Sequence, residues 1–156
     1  MERKLSTLDF TLCQRPGVKS QNGTFHSERN FLDFVIDGKS LVALTRYDLV
    51  SVLCKEWAVE AREKSVRRLL GEEEADFAGG RRSLLVCAEC GDIGCGAVSI
   101  VLQLSDKTVL WRSFGYQNNH ESEIHGEHLK DLGPFEFELA AYKGTLAHAL
   151  DMLKAS

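Results

Sequence analysis

Hydrophobic and polar residues alternate in several short stretches of this chain. Over residues 5–13, Leu8, Phe10 and Leu12 fall on one face and Thr7, Asp9 and Thr11 on the other. This period-two pattern predicts a half-buried strand, which Arg15-Pro16-Gly17 ends. Residues 20–30 read as a polar loop. Residues 31–36 form a second apolar run, closed by the turn dipeptide Asp37-Gly38. Residues 41–57 are apolar without a clean period and fit strand and helix equally.

The spacing predicts a helix over residues 58–70. Ala, Glu, Arg and Lys dominate it, Val59, Val66, Leu69 and Leu70 share a side, and Gly71 stops it. An acidic connection follows, from Glu72 to Gly79-Gly80. Residues 83–87 predict a short buried strand. Residues 97–104 and 109–114, joined by Ser105-Asp106-Lys107-Thr108, predict a hairpin. Residues 115–133 read as a long polar loop, a length that is uncommon without a function. Phe135, Phe137 and Leu139 alternate with Glu136 and Glu138 in a last strand, whose glutamates take the solvent face. A closing amphipathic helix is expected over 145–154, with Leu146, Leu150 and Leu153 inward. The fold class expected is α+β: a single domain over residues 1–156, with a mainly antiparallel sheet and at least two helices, at about 58–70 and 145–154.

Composition narrows the function more than the fold. A 156-residue chain with 44% hydrophobic residues can bury a real core without metal or disulfides. Its net charge of −4 disfavours nonspecific nucleic-acid binding, and the Arg67-Arg68 and Arg81-Arg82 pairs are too brief to reverse that. The charged start Met1-Glu2-Arg3-Lys4 does not read as a secretory signal, and no apolar run is long enough to span a bilayer. Five cysteines, an odd number, do not form a disulfide framework. The expected compartment is the cytoplasm, with the thiols reduced.

One segment departs from packing logic. Cys87-Ala88-Glu89-Cys90-Gly91-Asp92-Ile93-Gly94-Cys95-Gly96 places three cysteines and three glycines between two apolar runs, with spacing C-x2-C-x4-C. A C-x2-C bend brings two thiolates onto one ion, and Cys95 would add a third. Zinc wants four ligands, and His120, His125 and His128 in the polar loop form the pool for the fourth. Two other readings stay open. The glycines alone would build a tight structural turn around buried-prone cysteines. Thiol chemistry by the Cys87/Cys90 pair is the third, although no helix begins there to lower a thiol pKa.

The same turn, with Val109-Leu110-Trp111-Arg112-Ser113-Phe114-Gly115-Tyr116, resembles a group of small uncharacterised bacterial proteins. Those share a C-x-x-C-G-D-x-G-C-G turn and a V-x-W-x-x-F-G-Y segment. The resemblance covers residues 84–118, and extends to residues 36–38 and 135–142. It implies a bacterial source and a single α+β domain, and brings no activity, substrate or cofactor.

The sequence carries no nucleophile elbow, P-loop or dinucleotide fingerprint, and the loop histidines lack the H-E-x-x-H order. A non-enzyme is therefore favoured. The leading expectation is a small protein-binding domain, an immunity-type inhibitor being one form, with Trp111 and Tyr116 as partner anchors; core packing is the competing reading for Trp111. The alternative is a zinc-binding domain built on Cys87, Cys90 and Cys95. Oligomeric state is not legible in the sequence.

Overall fold

The computed structural model describes residues 4–19 and 25–155 and has an α+β fold. In chain order its strands are β1 (Leu8–Arg15), β2 (Val18–Lys19), β3 (Phe25–His26), β4 (Arg29–Ile36), β5 (Lys39–Ser40), β6 (Leu49–Ser51), β7 (Arg81–Cys87), β8 (Ala97–Leu104), β9 (Thr108–Gln117) and β10 (Phe135–Glu138). Helix α1 (Leu41–Thr45) precedes β6, α2 (Val59–Leu69) precedes β7, and α3 (Leu139–Ala155) follows β10.

All strand pairs are antiparallel. One sheet has the order β1-β4-β5, a second β10-β9-β8-β7-β6, and β2-β3 form a small ribbon. Backbone hydrogen bonds link the two larger sheets at both edges. Leu32 N–H donates to Leu53 O (3.0 Å), and Lys55 N–H to Asn30 O (2.7 Å), where the chain leaves β6. At the opposite edge Ser6 N–H donates to Glu136 O on β10 (2.7 Å). The sheets thus wrap around one core.

That core is aromatic at its centre. Trp111 on β9 is fully buried, with Phe34 of β4, Phe137 of β10 and Tyr142 of α3 packed edge-on against it at 5.1–6.1 Å. Its indole N–H donates to Tyr142 Oη (3.2 Å), and that hydroxyl donates to Leu69 O at the end of α2 (2.6 Å). One phenol therefore ties both long helices to the sheet. Arg81, buried at the start of β7, donates to Ser99 Oγ (3.1 Å), Gln117 Oε1 (2.9 Å) and Ser99 O (3.2 Å), so its charge is solvated by protein acceptors.

The hairpin of β8 and β9 forms where alternation predicts it, and Asp37-Gly38 turns with both φ angles positive (52° and 82°). Residues 41–57 divide into α1, β6 and a tail that bridges to Phe31 at Cys54 and then turns, Trp57 N–H donating to Cys54 O (3.1 Å). The polar loop expected over 20–30 falls partly outside the described residues, and its end already belongs to β3 and β4. Two expectations need correction. Helix α3 begins at Leu139, not near 145, because its buried stripe is Tyr142, Leu146, Ala149 and Leu153, and two of those are not strong hydrophobic markers. In α2, Val59 is exposed and Arg62 is buried, its guanidinium donating to Lys55 O (2.9 Å). No helix among the described residues is long and apolar enough to cross a membrane.

Candidate metal centre

The cysteine segment is the loop of the β7–β8 hairpin, in which Val86 pairs with Ala97. Gly91 N–H donates to Cys87 O (2.9 Å), and Gly91 takes φ +69°, a left-handed conformation that glycine adopts at no steric cost. Asp92 then accepts from Gly94 N–H through Oδ1 (3.0 Å) and starts a single 3₁₀ turn, Ile93–Cys95. Gly96, at φ +109°, returns the chain to β8. A Cβ there would lie 2.1 Å from Tyr116 Oη, so the close approach of this ring requires glycine. Tyr116 is stacked on Tyr47 (4.6 Å between centroids), and its hydroxyl donates to Cys95 O (3.4 Å).

This geometry brings the Sγ atoms of Cys87, Cys90 and Cys95 within 4.8 Å of one another, and the three could hold a metal ion. Cys90 and Cys95 are exposed and Cys87 is half-buried. The Cys90 and Cys95 sulfurs share a hydrogen bond at 3.0 Å. Burial raises the Cys87 pKa, but the backbone N–H groups of Cys90 and Glu89 and the neighbouring thiols outweigh it, and the net shift is downward. The Cys95 thiol is pushed up to about 12, by its hydrogen bond with Cys90 and then by the negative charge of its neighbours. Three thiolates this close repel one another, and a divalent cation removes that repulsion.

The three loop histidines have separate fates. Strand β9 runs antiparallel to β8 and ends at Gln117, opposite Ala97, so the next residues emerge beside the cysteine turn. His120 sits there: a Cβ on Gly94 would lie 3.2 Å from its Nε2. The ring is outside the 4.8 Å cluster of sulfurs but next to it. His125 turns away, pairs with Tyr116 by two backbone hydrogen bonds, and engages Glu121 through Nε2 (2.9 Å). His125, Glu121 and Glu123 form a second, fully exposed cluster that could hold an ion. His128 donates its Nε2–H to Thr45 O (2.8 Å), so that nitrogen has no free lone pair for a metal. His125 and His128 are therefore not placed with the sulfurs. The two remaining cysteines are not placed there either: Cys13 lies on β1, and Cys54 lies in the core, its thiol pushed up to about 12 by burial.

Trp111 is enclosed by the core and offers no surface to a partner, which corrects that part of the expectation; Tyr116 is half-buried against the turn. Several residues that position the turn carry no motif. Glu89 accepts from Ser27 N–H (3.0 Å), Ser27 Oγ (2.7 Å) and Arg15 (3.2 Å), which hold its carboxyl down to about 2. Arg29 on β4 donates to the carbonyls of Ala88 (2.6 Å) and Glu89 (3.1 Å) and lies over the Trp57 ring at 5.1 Å. Arg15 also pairs with Asp48 and contacts His26 Nδ1 (2.6 Å). The first sheet thus clamps the hairpin loop of the second through long-range pairs that local sequence does not reveal.

No protein-family model matches the chain, and no curated protein or solved structure matches it.

Proposed function

We propose that this protein binds a zinc ion through the thiolates of Cys87, Cys90 and Cys95, with His120 as the fourth ligand. The observation that carries the reading is the convergence of three sulfurs within 4.8 Å on one hydrogen-bonded loop. A set of three soft thiolates and one imidazole suits zinc better than magnesium or calcium, which prefer oxygen ligands. His120 is favoured as fourth ligand because its Nε2 faces Gly94, one residue before Cys95, while His125 and His128 are engaged elsewhere. An ion there would tie the β7–β8 loop to the segment after β9. The core closes without it, so the metal-free chain stays folded and metal binding is a local event. A reducing compartment such as the cytoplasm suits a site whose thiols would otherwise oxidise. The immunity-type inhibitor has no specific observation in its favour, since one of its two proposed anchors, Trp111, is buried.

Titration with Co²⁺ tests the ligand set. A thiolate-to-cobalt charge-transfer band should saturate at one ion per chain. Cys→Ser at 87, 90 or 95 should weaken binding strongly, and His120→Ala by at least about tenfold. Absence of the band, or equal affinity in the cysteine variants, would overturn the reading.

A further inference from the structure

A cleft of about 410 Å³ opens beside the cysteine turn, between one face of α2, Val52 just after β6, and Ser83 and Val86 of β7. Its volume lies within the roughly 300–1,000 Å³ range of small-molecule sites. Val52, Val86 and Ile93 supply apolar wall, and Cys90 and Gly91 form one rim. The helix contributes Ala58, Ala61, Lys64, Ser65 and Arg68, spaced three or four apart and hence on one face. Trp57 completes the lining and packs on Gly91, where a Cβ would lie 3.1 Å from the indole ring.

The hydrogen-bonding groups of this cleft are unbalanced. Trp57 Nε1 and Arg68 Nε are both buried, and no acceptor of the protein reaches either. A buried donor without a partner is destabilising, so two on residues lining one cleft require an explanation. Ala58, the N-cap of the 11-residue α2, also lines the cleft and gives that helix no side-chain cap. The two carboxylates of the lining are occupied. Asp76 accepts from Ser83 N–H (3.0 Å) and Ser83 Oγ (2.5 Å), and Glu56 accepts from Asn30 N–H (2.6 Å) and Cys54 Sγ (3.4 Å). The lining thus sets two cationic side chains, Lys64 and Arg68, beside two carboxylates already engaged by protein donors, and its unpartnered donors are Trp57 Nε1 and Arg68 Nε.

We infer that this cleft binds a small organic anion, a carboxylate or a phosphate monoester with an apolar body, through Trp57 Nε1, Arg68 and Lys64. The anionic group takes the orphaned donors and the body lies against Val52, Val86 and Ile93. The inference goes beyond the zinc reading and does not depend on it, because none of these donors is a proposed metal ligand.

The chain has two tryptophans, so the indole N–H region of a ¹⁵N spectrum carries one signal from Trp57 and one from buried Trp111. Trp57→Phe assigns them. The full chain, metal-free and zinc-loaded in parallel, is titrated with benzoate, phenyl phosphate and, as the uncharged control, benzyl alcohol. The Trp57 signal should move saturably with at least one anion while that of Trp111 stays, and the anion that binds more tightly gives the ligand class. Arg68→Gln, at a half-buried position of α2, should weaken that binding at least about tenfold through loss of the charged donor. Benzyl alcohol should leave the signal in place. No saturable movement with either anion up to about 10 mM, weaker than any specific site of use, would overturn the inference. So would unchanged affinity in Arg68→Gln, or an equal response to benzyl alcohol. Anion binding in the metal-free protein stands whether or not the chain takes zinc.

Discussion

The Sγ atoms of Cys90 and Cys95 lie 3.0 Å apart at the surface of the β7–β8 loop. This distance is intermediate between two chemistries. Thiolates on one tetrahedral zinc, with bonds of about 2.3 Å, sit about 3.8 Å from each other. A disulfide brings them to about 2.05 Å. A movement of about 1 Å either way reaches one of these two states.

That relationship sets an order of thiol reactivity. In the metal-free protein exposed Cys90 and half-buried Cys87, whose pKa is lowered, should react with a thiol reagent ahead of Cys95, whose thiol is pushed up to about 12, and Cys54, in the core, only on unfolding. Diamide, a two-electron oxidant, should take one electron and one proton from each of Cys90 and Cys95 and leave a disulfide between them. Zinc should slow both reactions. Thiol counting with peptide mapping follows this; equal rates with and without zinc would contradict it.

Gly96→Ala leaves every proposed ligand in place. It puts a side chain at φ +109°, where its Cβ would meet Tyr116 Oη at 2.1 Å. The variant should lose about 1–3 kcal/mol of stability, and Co²⁺ affinity should fall at least about tenfold, a scale typical of lost support around a metal site. Denaturation midpoints and a cobalt titration measure the two effects, and wild-type affinity would show that the turn does not position the sulfurs.

Tyr142→Phe removes a single oxygen from the core. It leaves the Trp111 N–H and the Leu69 carbonyl without the partner each now has. The expected cost is about 2 kcal/mol, read from the urea midpoint at unchanged slope. A loss near zero would mean that neither group depends on the hydroxyl.

Acid should loosen the clamp on the loop. The Glu89 carboxyl is held at about 2, against an ordinary 4.5, first by the hydrogen bond from Ser27 Oγ, then by Ser27 N–H and by Arg15. Asp48 is lowered in the same sense by Arg15. Between those two pH values the unfolded chain binds more protons at Glu89 than the folded one. The stabilisation is therefore complete above the ordinary value and lost as pH falls toward about 2. The stability difference between wild type and Glu89→Gln should shrink across this window. Curves that stay parallel would exclude a contribution from Glu89.

The strands that alternate cleanly were legible: β8, β9 and β10 lie where Val98 to Leu104, Val109 to Phe114 and Phe135 to Phe137 predict them. The cysteine turn was legible as a place, through its glycines and spacing. What local pattern missed has one physical origin, which is pairing over long sequence distance. Arg15 and Arg29 reach the loop from 74 and 60 positions away, and the buried donors Trp57 and Arg68 acquire meaning only when α2 packs beside β7. The start of α3 was misplaced because Tyr142 and Ala149 carry its buried stripe without a strong hydrophobic signature. Among the histidines, strand topology together with the partners Glu121 and Thr45 separates His120 from His125 and His128.

The most direct measurement of the central claim is the metal content of the untagged protein, purified under reducing conditions and measured by elemental analysis beside its Cys90→Ser variant. The account predicts close to one zinc per wild-type chain and a marked loss in the variant. Zinc near zero in a folded wild-type protein that also takes up none on reconstitution would contradict it.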